Sequence, residues 1–173
     1  MEVALLDKTS LRIKSKHTNL VVDPFEKLSK TPTDAVLILS KGSVDLSKVT
    51  DYRVIIKSAG EYEVGGIKVS AIDMEGSTVY GLTVDNIDVL LAKTSSVTKV
   101  SEKLKEYQIV IFNVDSEINQ TVVTALEPRV VILYGEKAND AAKALGKEGA
   151  QVLQKFSAFE GKLPEEMQVV VLS

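Results

Sequence analysis

Apolar residues follow two different rhythms along this chain, and the change comes near Ala92. Before it, short runs rich in Val, Ile and Leu are broken by Gly, Pro, Asp, Asn, Ser or Lys, the pattern of strands separated by turns. The runs predict strands at Val3 to Leu6, Leu11 to Lys14, Leu20 to Val22, Ala35 to Leu39, Arg53 to Lys57, Ile67 to Ile72, Thr78 to Val84 and Ile87 to Ala92. Asp85-Asn86 predicts a tight hairpin between the last two, and Gly76-Ser77 does the same for the pair before.

After Ala92 strand and helix alternate. Val97, Val100, Leu104 and Tyr107 share one helical face, followed by a strand from Ile109 to Phe112. Ser116 is the expected N-cap of a helix carrying Ile118, Val122, Ala125 and Leu126 on one stripe, which Pro128 stops. Val130 to Tyr134 reads as a buried strand. Ala138, Ala141, Ala142 and Leu145 mark a third helix that Gly146 can end in a left-handed cap. Met167 to Leu172 is the last expected strand. Helices spaced between strands imply layers of helix against sheet. No repeat or linker divides the 173 residues, so a single domain over 1–173 is expected.

Composition narrows the function classes. With 21 basic and 24 acidic residues spread along the chain, net charge -3, there is no electrostatic footprint for nucleic acid. The five tyrosines and four phenylalanines are scattered, without the basic-aromatic interleaving of single-strand binders. The absence of cysteine removes disulfides, thiolate metal sites and cysteine nucleophiles. The start, Met1-Glu2-Val3, lacks the features of a secretory signal, and no apolar run approaches the roughly 20 residues of a membrane span. A cytoplasmic protein with no membrane contact is expected.

Several segments, in order, resemble one family. Val3 to Ile13 is similar to its first hairpin, Leu20-Val21-Val22-Asp23-Pro24-Phe25 to its Leu-x-x-Asp-Pro strand end, and Asp34 to Ser40 to the strand leading into its metal loop. Ser58-Ala59-Gly60-Glu61-Tyr62-Glu63-Val64-Gly65-Gly66-Ile67 is close to its Gly-Pro-Gly-Glu-Tyr-Glu-Val-x-Gly-Ile segment. Leu126 to Ile132 resembles its Leu-Glu-Pro-Lys approach to a late strand. The chain thus resembles the metallo-β-lactamase fold, in its small L-ascorbate-6-phosphate-lactonase-like branch. The resemblance implies an α/β fold of the αββα type, two β-sheets packed face to face with outer helices.

That family hydrolyses through metal ions held by a His-x-His-x-Asp-His loop with later His and Asp ligands. Such a site needs imidazoles and carboxylates around the ion, and an open position for a water whose pKa the metal lowers to about 7. Here the equivalent loop is Lys41-Gly42-Ser43-Val44-Asp45-Leu46. Lys41, Ser43 and Leu46 replace three histidines, and Asp45 alone survives. The family's bridging Asp aligns with Thr94 and its late His with Gly135. The one histidine, His17, lies in a Lys-His-Thr-Asn stretch outside every ligand position and reads as a solvated turn residue. Lys41, Ser43, Asp45, Leu46, Thr94 and Gly135 therefore define a vestigial pocket with no metal and no cofactor expected. Lys41 is a candidate to pair with Asp45 and replace the ion's charge; alternatively it points to water.

Other catalytic devices are weakly signalled. Lys41 with Ser43 has the elements of a Ser-Lys dyad. No Gly-x-Ser-x-Gly elbow or Walker-type loop is present, and Gly60, Gly65 and Gly66 read as turn and hairpin positions. Two functions stay open. One is a non-catalytic binding or scaffolding protein, acting on a protein partner or as a homo-oligomer. The other is a hydrolase with a relocated or metal-independent site around the 41–46 loop.

Overall fold

The structure, a computed structural model, describes residues 1–42 and 44–173. Among these the strands are β1 (Glu2–Leu5), β2 (Leu11–Lys14), β3 (Asn19–Val22), β4 (Thr31–Pro32), β5 (Ala35–Leu37), β6 (Val49–Thr50), β7 (Val54–Ile56), β8 (Gly60–Val64), β9 (Ile67–Met74), β10 (Ser77–Val84), β11 (Ile87–Lys93), β12 (Ile109–Asn113), β13 (Val130–Tyr134), β14 (Gln151–Leu153), β15 (Lys155–Ser157) and β16 (Gln168–Leu172). The helices are α1 (Thr94–Val100), α2 (Gln120–Ala125) and α3 (Ala138–Ala144).

Two large sheets stack, with strand orders β15-β1-β2-β3-β5-β7 and β14-β16-β13-β12-β11-β10-β9-β8. Their flanks are joined by the chain itself. One flank passes from β7 to β8 across Lys57, Ser58 and Ala59, and the other from β14 to β15 across Gln154. A strand that changes sheet in this way fixes the two layers against each other. β8 to β11 form an antiparallel meander whose Asp85-Asn86 turn has both residues at positive φ, 49° and 63°, the signature of a tight type I′ hairpin. β11, β12, β13 and β16 then run parallel, so their carboxyl ends share one rim.

Alternation along the strands sorts the core. Leu91, Ile111 and Ile132 face inward between the sheets, against Leu11, Leu20, Val22 and Leu37 of the first sheet. Leu90, Val110, Phe112, Val131 and Leu133 face outward and are covered by the apolar sides of α1, α2 and α3. The outer face of the first sheet, Val21 and Val36, is covered by Leu28, Ile38 and Val49. Those residues come from the segment between β3 and β7, which carries one short 3-10 turn, Leu46–Lys48. Tyr80 of β10 crosses the core, and its hydroxyl meets the carbonyls of Ile38 and Ile56 at 2.8 Å each. No described helix is long and apolar enough to cross a membrane.

The structure departs from the expected elements at identifiable places. Residues Gly60 to Val64, expected only as turn-linked sequence, form edge strand β8, with Tyr62 packed on the core and Glu61 exposed. Charge on an edge strand discourages further pairing. α1 stops at Val100 and is followed by a 3-10 turn, so Leu104 and Tyr107 reach the outer core from extended backbone. α2 begins later than expected. Its cap is Asn119, whose side chain accepts from Val122 N at 3.3 Å, while Ser116 bonds to Thr94 instead. β14 and β15 escaped the pattern because Gln151, Val152, Lys155 and Ser157 are exposed edge positions without an apolar rhythm.

Gly65, at φ 54°, shows why a glycine stands in the β8–β9 turn. Thr18 Oγ1 donates to its carbonyl at 2.7 Å, and a Cβ there would collide with that same hydroxyl. Gly65→Ala is expected to lower the unfolding free energy by about 1–3 kcal/mol in a urea titration, through strain and overpacking together.

Candidate functional site

The polar residues gather where the parallel strands of the second sheet end. Lys93, Asn113 and Tyr134 close β11, β12 and β13 and lie in register across the sheet. They are one inward step beyond the row of Leu91, Ile111 and Ile132, so the apolar interior gives way to a polar layer at this rim. Ligands of open α/β sheets are met at strand carboxyl ends because the turns there project functional groups from a rigid support.

Asp115, just beyond β12, organises the rim. Its carboxylate accepts from Ser95 Oγ at 2.7 Å, from Ser95 N at 3.0 Å and from Thr94 Oγ1 at 3.0 Å. Lys93 Nζ lies 3.4 Å from Asp115 Oδ2, and Lys137 Nζ donates to the Asp115 carbonyl at 3.3 Å. Burial pushes the Asp115 carboxyl upward, but the hydrogen bonds from Ser95 and Thr94 and the charge of Lys93 outweigh it and hold it below the usual carboxylate value. Thr94 Oγ1 also accepts from Ser116 N at 3.0 Å, which ties the start of α1 to the chain after β12.

Asp23 faces this rim from the first sheet. Its carboxylate accepts from Leu39 N at 2.7 Å and Ser40 N at 2.9 Å. Burial raises its pKa despite these amides and the charge of Lys93. Beneath lies Tyr134, fully buried, with no hydrogen-bond partner for its hydroxyl among the described residues. The Ser77 and Ser96 hydroxyls meet at 2.6 Å, at the starts of β10 and α1. A cleft of about 620 Å³ opens beside Gly135, lined by Asp7, Lys8, Glu136, Asn139 and Gln154.

The expected pocket residues are only partly brought together. Thr94 and Gly135 both lie on the rim: a Cβ on Gly135, at φ 101°, would stand 3.5 Å from the Val114 carbonyl and 3.8 Å from Asn113 Oδ1. Lys41 does not pair with Asp45. Its Nζ is 2.5 Å from Asp73 and donates to the Met74 carbonyl at 2.9 Å, because Lys41 N is anchored on Gly76 O in the β9–β10 hairpin. Asp45 instead caps the 3-10 turn, accepting from Ser47 N at 3.0 Å and Ser47 Oγ at 2.7 Å. Leu46 packs on the outer cluster of the first sheet. Ser43, and with it the Lys41–Ser43 dyad, lies outside the described residues. His17 is exposed, as expected of a turn residue.

These residues do not fit a hydrolytic metal centre. Lysine, threonine and glycine offer it no imidazole, Asp45 is spent on a cap, and among the described residues no three His, Cys, Asp or Glu side chains converge. Sequence reading missed Lys93, Ser95 and Asp115. The available signal was positional: polar residues immediately after the apolar runs of two neighbouring parallel strands.

No protein-family model matches the chain, and no curated protein matches it by sequence. Solved structures do. A Thermotoga maritima protein assigned as a zinc-dependent hydrolase of the metallo-β-lactamase superfamily superposes with a TM-score of 0.78 at 19% identity, covering 99% of this chain and 97% of its own. A Parabacteroides distasonis protein assigned as a metal-dependent hydrolase gives 0.66 at 13% identity, covering 96% and 91%. An isothiocyanate hydrolase from Delia radicum gut bacteria gives 0.60 at 10% identity, covering 100% and 96%. At such identities the likeness establishes the fold, an α/β sandwich of the metallo-β-lactamase type. The expectation of a non-catalytic binding or scaffolding role is corrected here: these neighbours bear the names of hydrolases, and none points to a scaffold.

Proposed function

We propose, from the premise of a metallo-β-lactamase fold, that the chain is a hydrolase whose reacting groups have moved from the 41–46 loop to the neighbouring strand ends and act without a ligated metal. The observation that carries this reading is the exposed Ser95 hydroxyl held at 2.7 Å by Asp115 Oδ2, with the Lys93 ammonium 3.4 Å from the same oxygen. The hydrolase names of the fold neighbours support it.

The arrangement suits an ester. Ser95 Oγ attacks the carbonyl carbon and its proton passes to Asp115. The carbon–oxygen bond to the leaving alcohol then breaks, and that alcohol departs with the proton. Water repeats the sequence on the acyl-serine, giving the acid and restoring Ser95. The hydrogen bonds from Ser95 and Thr94, with the charge of Lys93, keep Asp115 ionised, and Lys137 sets a second ammonium on the rim. A carboxylate held low is a weak base at neutral pH, so turnover is slow, and activity persists until the pH falls below the ordinary carboxylate range.

The test uses p-nitrophenyl acetate and butyrate with protein purified in EDTA. Turnover is expected with chelator present. Ser95→Ala should reduce it to the uncatalysed background while shifting the melting temperature by no more than one lost hydrogen bond allows, about 1 kcal/mol. Full activity in that variant, or activity appearing only with added zinc, would sink the reading.

A further inference from the structure

The two flanks of the sandwich are protected unequally. On one, edge strand β8 shows Glu61 and Glu63 to solvent, and β7 is bracketed by Arg53 and Lys57. On the other, residues 151–157 run along the edges of both sheets as β14 and β15, and Lys155 is their one charged side chain. That charge is turned back from the edge, because Lys155 Nζ lies 3.3 Å from Glu2 Oε2 on the adjacent strand β1. Close to this segment stand Val152, 57% exposed, and Phe159, 63% exposed. A strand edge with open backbone groups and no charge projecting over it is a template for another strand.

We infer that β15 is a self-association edge, pairing antiparallel with β15 of a second copy about a two-fold axis at Phe156. The alternation of the ladder shows which backbone groups are free. The Met1 ammonium and carbonyl bond to the Ala158 carbonyl and N–H at 2.9 Å each, and Leu5 N donates to the Gln154 carbonyl at 3.0 Å. Gln154, Phe156 and Ala158 therefore face β1, and the N–H and C=O of Lys155 and Ser157 point outward. Only outward-pointing residues can exchange bonds with a new strand. Lys155 of each copy opposite Ser157 of the other gives four backbone hydrogen bonds. Registers that oppose Lys155 to Lys155 or Ser157 to Ser157 give two, and the first also sets like charges together.

The segment is complementary to itself, and this selects a second copy as the partner. Phe156 meets Phe156 at the axis, and aromatic pairs across strands are among the favourable ones. Phe156 is already packed on the interior between the sheets, so the pair carries that core across the interface. The same register brings Phe159 of one copy beside Leu153 and the exposed Val152 of the other, covering both exposed side chains. The association involves none of the groups proposed to react around Ser95.

The test is sedimentation equilibrium of the wild type, Ser157→Pro and Phe159→Asp from about 10 μM to about 1 mM, the span over which a small interface dissociates. The wild type is expected to approach twice the chain mass of 18.8 kDa. Proline at 157 removes an outward N–H that β1 does not use, so the protomer keeps its ladder while the dimer loses two of its four bonds. Each variant should weaken association about tenfold or more. A wild type that stays monomeric throughout would overturn the inference. So would a dimer that survives Ser157→Pro, even one weakened by Phe159→Asp, because its contact would not be a shared ladder. If Ser157→Pro does not fold, amide hydrogen exchange of the wild type decides. Protection of the Lys155 and Ser157 N–H groups that rises with concentration supports the pairing, and protection independent of concentration overturns it.

Discussion

Asp23→Ala is expected to remove about 3 kcal/mol from the unfolding free energy, read from a urea titration at pH 7. The carboxylate is 6% exposed and is the acceptor for Leu39 N and Ser40 N, two amides that follow β5 and find no strand partner of their own through it. Alanine leaves both donors buried and unanswered, and a hydrogen bond to a charged acceptor contributes about 1.5–3 kcal/mol. The residue also sits at φ 44°, which aspartate tolerates better than alanine. Asp23→Asn keeps one acceptor oxygen and should fall between.

The pH dependence separates the two substitutions further. Burial raises the Asp23 pKa above 3.8, so the folded state binds its proton more tightly than the unfolded chain does. The additional stability linked to its proton is therefore fully present below about pH 3.8 and is lost as pH rises through the folded value, while the bonds from Leu39 N and Ser40 N remain at pH 7. Asp115, Asp85 and Asp88 behave oppositely. Their values are lowered, so their contribution is present above 3.8 and lost as pH falls. In the wild type the two trends oppose each other on acidification. Asp23→Asn removes the first, and its stability should fall more steeply than wild type between about pH 6 and pH 3. An unchanged slope would show that Asp23 titrates normally in the folded protein.

The same residue illustrates how much of this molecule is legible in its sequence. Leu20-Val21-Val22-Asp23-Pro24 signals a buried strand followed by a turn, and the structure has β3 ending there. Most strands were readable within a residue or two because burial on one or both faces imposes an apolar rhythm. Where that pressure is absent, as at Gln151 to Ser157, the rhythm fails although the backbone still pairs. The site was harder to read. Comparison with a metal loop directs attention to Lys41 and Asp45, but a residue's position in a motif does not fix its partner. Asp73 captured Lys41 through the fold of the β9–β10 hairpin, a contact between residues 32 positions apart. Lys93, Ser95 and Asp115 belong to no shared local pattern. They meet only because β11 and β12 run parallel and end together.

Two buried tyrosines carry the same hydroxyl into different surroundings, so a matched pair of substitutions isolates its effect. Tyr80 is fully buried between the sheets, and its one proton is shared by the carbonyls of Ile38 and Ile56 at 2.8 Å each. The Ile56 carbonyl also receives Ile38 N at 3.0 Å, so the bond to Ile38 O is the one without a substitute among the described residues. Tyr80→Phe should cost about 2 kcal/mol, because it unpairs a buried carbonyl and severs a link between layers. Tyr134 is as deeply buried, yet its hydroxyl has no partner among the described residues, and burial pushes its phenol well above the ordinary value. Tyr134→Phe loses no bond and relieves a buried polar group, so it should be neutral or stabilising by up to about 1 kcal/mol. The two variants remove the same atom from similar depth, so general packing effects largely cancel in the difference. Equal losses in parallel urea titrations would mean that Tyr134 has a partner, and that the polar layer at the rim extends further into the core than Lys93 and Asn113.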